Sequence, residues 1–419
     1  MTTTHNRWIG EATAVAQVRT TQITGAAASS TITTTLTAED GSTQSVVTTM
    51  TNSTLADQAT VYRNSLAASS QSEFQKLSYS VDGVLVTITA NVAGRPFNMS
   101  ITGTTGSASV SNTAVTANAG PNDFNTTANW SRGTAPSADD VLYFTSGSSS
   151  VLYGLNQSGI SLDQMIVGPG YTGNIGTDTA ALRINADAGG EKGMTLGGSG
   201  FYYNISGDIE NVNITQNFGT LKLGTKIKNT NLTGINVGGT IHLDCRTSDN
   251  GGNVLRMSSV GPACVVEIPS TAVQQASIFM DSGRVNMKAS GPAGSQALVS
   301  GTGYLCCKES GKINGTGTAH LPGTITVMGG GSYVHESDAN LASGGIELAV
   351  FDGVADFSRV KAATSDAEFI TLGNVELYGG SLNAGGSALL VNLTSVKNFG
   401  GKIDLPANSS LAGTAKVPG

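Results

Sequence analysis

From residue 121 to the C-terminus the chain never repeats its apolar residues at helical spacing. Short apolar blocks recur instead, bounded by Gly or Asn, at 160–167, 181–184, 194–196, 209–214, 221–223, 241–243, 264–268, 276–280, 325–328, 346–351, 375–378 and 402–405. Many alternate apolar with polar, as in Asn374-Val375-Glu376-Leu377-Tyr378, which is the period of a half-buried strand. Gly-Gly pairs at 197–198, 238–239, 344–345, 379–380 and 400–401 punctuate the blocks as corners. The spacing, roughly 20–27 residues, falls in the range of solenoid rungs. The expectation for 177–419 is a rod, a right-handed parallel β-helix or β-solenoid. The rival is a set of stacked β-sandwich or jelly-roll domains, which expects Asn-Gly or Asp-Gly hairpin turns at short intervals. Asp352-Gly353 and Asn314-Gly315 are such turns, but Gly-Gly corners are commoner.

Composition supports a long β-structure. Only 12% of the 419 residues are charged, against about 25% in an ordinary globular chain. Solubility then rests on Ser, Thr and Asn, which suit the outer face of a strand ladder better than a helix surface. A formal net charge of −7 argues against a nucleic-acid partner, and Lys222, Lys226 and Lys228 alternate with apolar residues rather than forming a basic patch. No apolar run approaches the ~20 residues of a membrane helix, so no membrane insertion is expected. The N-terminus lacks the features of a signal peptide, so synthesis in a cytoplasm is expected. Cys245, Cys264, Cys306 and Cys307 lack metal-binding or redox spacing and are expected to be small buried apolar side chains.

The first third reads differently. Residues 1–14 are expected to be an arm carrying His5, Arg7 and Trp8, with Arg7 and Trp8 as anchoring residues. Residues 15–116 are expected to be a small α+β module. Strands at 15–24, 30–37 and 43–50, with an Asp40-Gly41 turn joining the last two, precede a helix over 54–70. That helix carries Leu55, Ala59, Tyr62 and Leu66 on one face, with Ser53 or Thr54 as N-cap and Asp57 in the first turn. Strands at 73–80, 84–91, 97–103 and 107–116 complete it, the first two joined at Asp82-Gly83. Residues 117–176 form the seam and cap of the rod, built on Trp130, Tyr143 and Phe144. A rod has two open ends that need covering, and a partner subunit would cover the far one.

No catalytic signature accompanies this architecture, and no enzyme activity, cofactor or metal is expected. His335-Glu336-Ser337-Asp338 lacks the second His of a zinc helix. Asp352 and Asp356, with Glu347 and Glu376, could supply the paired carboxylates of glycoside hydrolysis, but no aromatic cluster accompanies them. Asp139-Asp140 reads as a turn with exposed acids in preference to a calcium site. The Asn-x-Ser/Thr triplets at Asn129, Asn156, Asn204 and Asn231 follow from composition.

Two regions carry a resemblance. HNRWIGEATAVAQVRTTQITG at 5–25 is followed, after the helix, by EFQKLSYSVDGVLVTITANVAGRPF at 73–97; then comes PNDFNTTANWSRGTAPSADDVLYFTSGSSSVLYGLNQSG at 121–159. The order of arm, α+β module, seam and Gly-rich β-tail resembles a family of virion structural proteins of tailed phages and prophages. The resemblance covers about residues 5–176 by motif. It implies a protein displayed on a virion surface, a homotrimer, with capsid or tail proteins as partners. The preferred expectation is a capsid decoration or head-fibre protein bound through its N-terminal region. The alternative is a tail fibre or tailspike that binds, or cleaves, host surface glycan.

Overall fold

The computed structural model describes residues 4–25, 27, 29–51, 54–105, 109–186, 193–198, 202–215, 220–224, 227–233, 240–244, 253–258, 265–268, 276–287, 296–301, 303–309, 318–319, 324–337, 340–341, 347–360, 369–384, 390–405 and 410–411. The chain is mainly β, and most of its strands lie in parallel sheets.

Residues 18–116 form two antiparallel sheets and a helix. One sheet runs in the order Leu77–Asp82, Leu85–Ala90, Val18–Gly25, Ser109–Thr116; the other in the order Thr43–Thr49, Thr31–Thr37, Asn98–Thr105. The helix, Leu55–Ala67, begins at Thr54, whose hydroxyl accepts from the Asp57 amide while the Asp57 carboxylate accepts from the Thr54 amide. That reciprocal pair satisfies two of the donors a helix start leaves open. Ala59, Tyr62 and Leu66 are buried against Ile23, Ile32, Val86 and Ile88, whereas Leu55, expected on the same face, is 39% exposed. Tyr62 shares a 2.6 Å hydrogen bond with Thr34, and burial pushes its phenol up to about 12. The strand expected from 73 starts later. Ser72–Gln75 is a helical turn that buries Phe74, and the Glu73 amide donates to Gln44 Oε1 at 2.8 Å.

Beyond this module, consecutive strands fall alternately into two parallel sheets. The larger has 14 strands among the described residues and includes Asp140–Gly147, Gln164–Tyr171, Gly193–Leu196 and Ile209–Ile214 before ending at Ser410–Leu411. The smaller has 12, from Asn156–Ser161, Leu182–Asn185 and Tyr202–Ser206 to Lys402–Asp404. Thr318–Ala319 and Asn340–Leu341 make a separate parallel pair. Every pairing described in the two large sheets is parallel, so the antiparallel neighbours that a hairpin-built sandwich expects are not found there. The apolar block at 160–167 is divided between two sheets: Leu162 lies between the strands Asn156–Ser161 and Gln164–Tyr171. The block at 151–153 makes only isolated bridges, Val151 to Ile175 and Tyr153 to Asp123.

The register explains why the apolar blocks recur. In the larger sheet it aligns Phe144, Val167, Leu196, Ile214, Leu232, Met257, Met280, Val299, Val327, Val350 and Leu377 in one column. In the smaller it aligns Tyr203, Leu221, Ile241, Val266, Val285, Leu305, Tyr333, Ala355, Leu382 and Ile403. Most of these belong to one continuous core. At about 1.5–3 kcal/mol for each fully buried Val, Leu or Ile, the columns dominate the stability of the stack. A one-residue slip would turn a column outward, which fixes the register.

Glycine marks one corner because the next layer comes too close for a side chain. A Cβ on Gly353 would lie 2.5 Å from the Gly331 carbonyl oxygen, and one on Gly380 would lie 2.3 Å from that of Gly353. Gly380→Ala is therefore expected to cost about 1–3 kcal/mol as local overpacking. Thermal unfolding of the variant checks this, and an unchanged midpoint would contradict the close approach.

Candidate functional site

Residues 4–8 do not form a free arm. Thr4–Arg7 is the terminal strand of the larger sheet, pairing parallel with Asp140–Gly147 so that Thr4 faces Asp140 and Arg7 faces Tyr143. Trp8 follows it into the core at 2% exposure, bridges Trp130, and donates its indole N–H to the Ser149 carbonyl at 2.9 Å. The indole of Trp8 is thus spent inside the chain, whereas Arg7 is exposed and engages the seam through its backbone. Of the two dockings open to a tryptophan so near the terminus, on its own chain or on a neighbour, the indole makes the first.

An aromatic plug closes the foot of the apolar column. Trp130 meets Trp8 and Phe124 edge-on, with centroids 5.0 and 4.9 Å away, and Phe144 at 6.0 Å; Phe144 then meets Tyr171 at 5.3 Å. The Trp130 indole donates to the Phe124 carbonyl at 2.7 Å. Tyr143, on the outer face, is half-buried and bonds His5 Nδ1 through its hydroxyl at 2.9 Å. Asn129 is fully buried and ties three segments together. Its amide donates to the Gly120 and Asp123 carbonyls, and its oxygen accepts from the Ala12 amide. The triplet at Asn129 is thus a packing element of the joint. Asp140 is also buried, which corrects the expected pair of exposed acids. Its carboxylate accepts from the Ser137 amide at 2.9 Å and lies 3.7 Å from Arg132, while Asp139 takes a left-handed conformation with φ 63°.

Beside the foot lies a cleft of about 710 Å³ between the tip of the 31–49 hairpin and the first layers of the smaller sheet. Glu39 crosses it, accepting the Leu155 amide at 3.1 Å and the Gly154 amide at 3.4 Å. Next to it, Arg183 donates to the Asp40 carbonyl at 2.7 Å. Asp123 lines the same cleft and is 5% exposed; it accepts from the Asn118 side chain at 2.6 Å and the Asn125 amide at 3.0 Å. Burial pushes the Glu39 carboxyl up. The Leu155 and Gly154 amides pull it back, the charge of Asp123 adds to the rise, and Arg95 offsets part of it. Burial likewise raises Asp123 against its hydrogen bonds. The cleft thus brings together two carboxylates whose ionisation burial disfavours, at the seam between two structural units.

A second surface feature runs along the far corner of the stack. Phe351, Tyr378 and Phe399 stack nearly parallel, with centroids 4.6 and 4.9 Å apart, and remain 41%, 42% and 51% exposed. Met328 occupies the equivalent corner position one layer earlier, 37% exposed. Tyr378 donates to Glu376, which also accepts from Lys397 at 2.8 Å; these bonds, Lys397 first, hold Glu376 below the usual carboxylate range.

The acids considered for glycoside hydrolysis are distributed over both sheets and a corner. Asp356 lies on the smaller sheet and accepts from the Ser358 amide, Glu347 and Glu376 lie on the larger sheet, and Asp352 is exposed at a corner. His335 and Glu336 are on the strand Gly331–Ser337; their side chains and Asp338 lie outside the described residues, as do Cys245, Cys264 and the side chains of Cys306 and Cys307. Among the described residues no group of three or more His, Cys, Asp or Glu is placed to hold a metal ion. Glu39 has no signal in the sequence, and Asp123 is marked there only as part of the seam motif, not as a partner of Glu39. A Glu before a tight Asp-Gly turn ordinarily faces water, and only the docking of the hairpin buries it.

No family model matches the chain, and neither the curated proteins nor the solved structures contain a match to it. No helix among the described residues is long and apolar enough to cross a membrane.

Proposed function

We propose that the chain is a virion structural protein of a tailed phage, a homotrimeric capsid decoration or head-fibre protein. Its N-terminal region binds the particle, and its parallel sheets project as a displayed rod without catalytic role. The observation that carries this reading is the joint at the foot. The motif residues behind the phage resemblance, Asp123, Asn129, Trp130 and Asp140, brace the seam between module and stack and hold the N-terminal segment to it through Ala12 and Trp8. A resemblance concentrated in a joint between a compact module and a long stack is what an attachment protein needs. The alternating sheets further support a parallel β-helix, and right-handed winding follows from the rule that governs nearly all parallel crossovers. The exposed strip of Met328, Phe351, Tyr378 and Phe399 is an apolar surface that neighbouring copies would cover.

Cryo-electron microscopy of purified particles tests the reading. Density for the module at the capsid surface with the rod outward is expected, and absence of the protein from particles would overturn it. The second reading, a tail fibre that binds host surface polysaccharide, is favoured by the exposed rings, since aromatic side chains with nearby polar groups serve oriented ligand contacts. Retention of host lipopolysaccharide by the protein, lost in Tyr378→Ala, would favour it.

A further inference from the structure

We propose that the tip of the 31–49 hairpin is a proton-operated latch: with a proton on the Glu39–Asp123 pair it holds the N-terminal module against the foot of the parallel sheets, and with both carboxylates ionised it eases. The geometry is that of a clasp. Glu39 is the only side chain of the tip described as reaching the Gly154 and Leu155 amides, which lead directly into the first strand of the smaller sheet. Asp123 approaches the same residue from the seam: a Cβ on Gly154 would lie 2.6 Å from its Oδ1. Both carboxylates therefore approach Gly154, one from the module and one from the seam.

Opening the clasp separates them and returns Glu39 to water. Closing it ionised places a second negative charge in a half-dry space where Asp123 is already buried. Other charged groups in the cleft shape this balance. Arg95 faces Glu39 and favours its ionised form. Arg183 is committed to the backbone of Asp40, and Glu73 pairs with Lys76. Asp178 and Tyr153 complete the titratable lining. Asp40 itself is held below 3.8 by the Ser42 side chain and amide, so its contribution is lost only at lower pH.

The sign follows from which state binds the proton. The closed clasp raises the Glu39 carboxyl above its ordinary value of 4.5. Proton-linked stabilisation is therefore complete below 4.5 and is lost as pH rises through the raised value. Asp123, also raised, acts in the same direction.

Hydrogen–deuterium exchange on the full chain, corrected for intrinsic rates between about pH 4.5 and pH 8, tests the latch. Peptides spanning 36–44 and 150–158 are expected to lose protection as pH rises. Each unit of pKa difference between open and closed clasp gives about a tenfold change in opening equilibrium. Glu39→Gln keeps an acceptor for one amide and cannot ionise, so its protection should fall less steeply with pH, the remaining slope coming from Asp123. Asp123→Asn should make the slope shallower without abolishing it or the contact, because burial is the larger cause of the Glu39 rise. Protection that is flat in the wild type, a slope undiminished in Glu39→Gln, or a parallel loss in the Leu55–Ala67 helix would each overturn the proposal.

Discussion

Trp130→Ala is expected to lower the stability of the foot by about 3–5 kcal/mol, the range for truncating a buried large aromatic. The side chain is 1% exposed and sits at the centre of the plug, edge-on to Trp8 and Phe124 and in reach of Phe144. Its loss removes three ring contacts at once and strips the Phe124 carbonyl of its indole donor. A buried acceptor left open adds about 1–3 kcal/mol of its own. Those contributions overlap, because the same cavity causes both, and are not to be summed. The Trp130→Phe variant separates them: it restores a ring without a donor and should fall between wild type and alanine. Melting followed by light scattering and dye binding is the measurement. The alanine variant should unfold earlier, expose apolar surface and aggregate. A melting curve superimposable on wild type would mean that the plug does not close the stack.

The class of the fold was legible because burial in a parallel stack leaves a signature that one strand suffices to display. Residues at Val375 and Leu377 alternate with Asn374 and Glu376, and the register later places them in the core and on the outer face of the larger sheet. Corner tripeptides such as Phe351-Asp352-Gly353 and Tyr378-Gly379-Gly380 were visible as glycine punctuation. That their aromatic members stack on one another was not, since stacking depends on the layer spacing and not on local sequence. The helix was legible from its face and cap, because both signals are local. What the sequence concealed is contact between distant segments. Thr4–Arg7 looks like any polar terminus, and nothing within it announces a pairing with residues more than 130 positions away. Asp140 looks like its neighbour Asp139, yet one is buried and accepts the Ser137 amide while the other turns the chain. Glu39 is legible only as the residue before a turn. Each of these depends on two units meeting, and the periodicity of either alone is silent about the other.

Deleting residues 1–8 is expected to be the most damaging of the short truncations, for a reason that also changes how attachment to a particle must be tested. The missing strand would leave Asp140–Gly147 as a bare edge, with backbone donors and acceptors open to pairing with another chain. It would also empty the Trp8 site and remove the Arg7 carbonyl that accepts the Ser131 amide. Losing a buried Trp alone falls in the range of about 3–5 kcal/mol. The truncated protein should therefore melt earlier and associate through the exposed edge, as size-exclusion chromatography with light scattering would show. Loss of particle binding in that protein would report a broken foot and not a lost anchor. Arg7→Ala is the cleaner probe, because the Arg7 side chain is exposed and the strand engages its neighbours through backbone. Unchanged melting with lost particle binding in Arg7→Ala would place the attachment at this strand. A peptide of residues 1–10 added to the truncated protein should restore its melting point by strand addition, since the vacated edge offers an ordered ladder to pair with. A truncated protein that stays monomeric and melts with the full chain would mean that the sheet begins at Asp140 and that the first strand is an accessory to it.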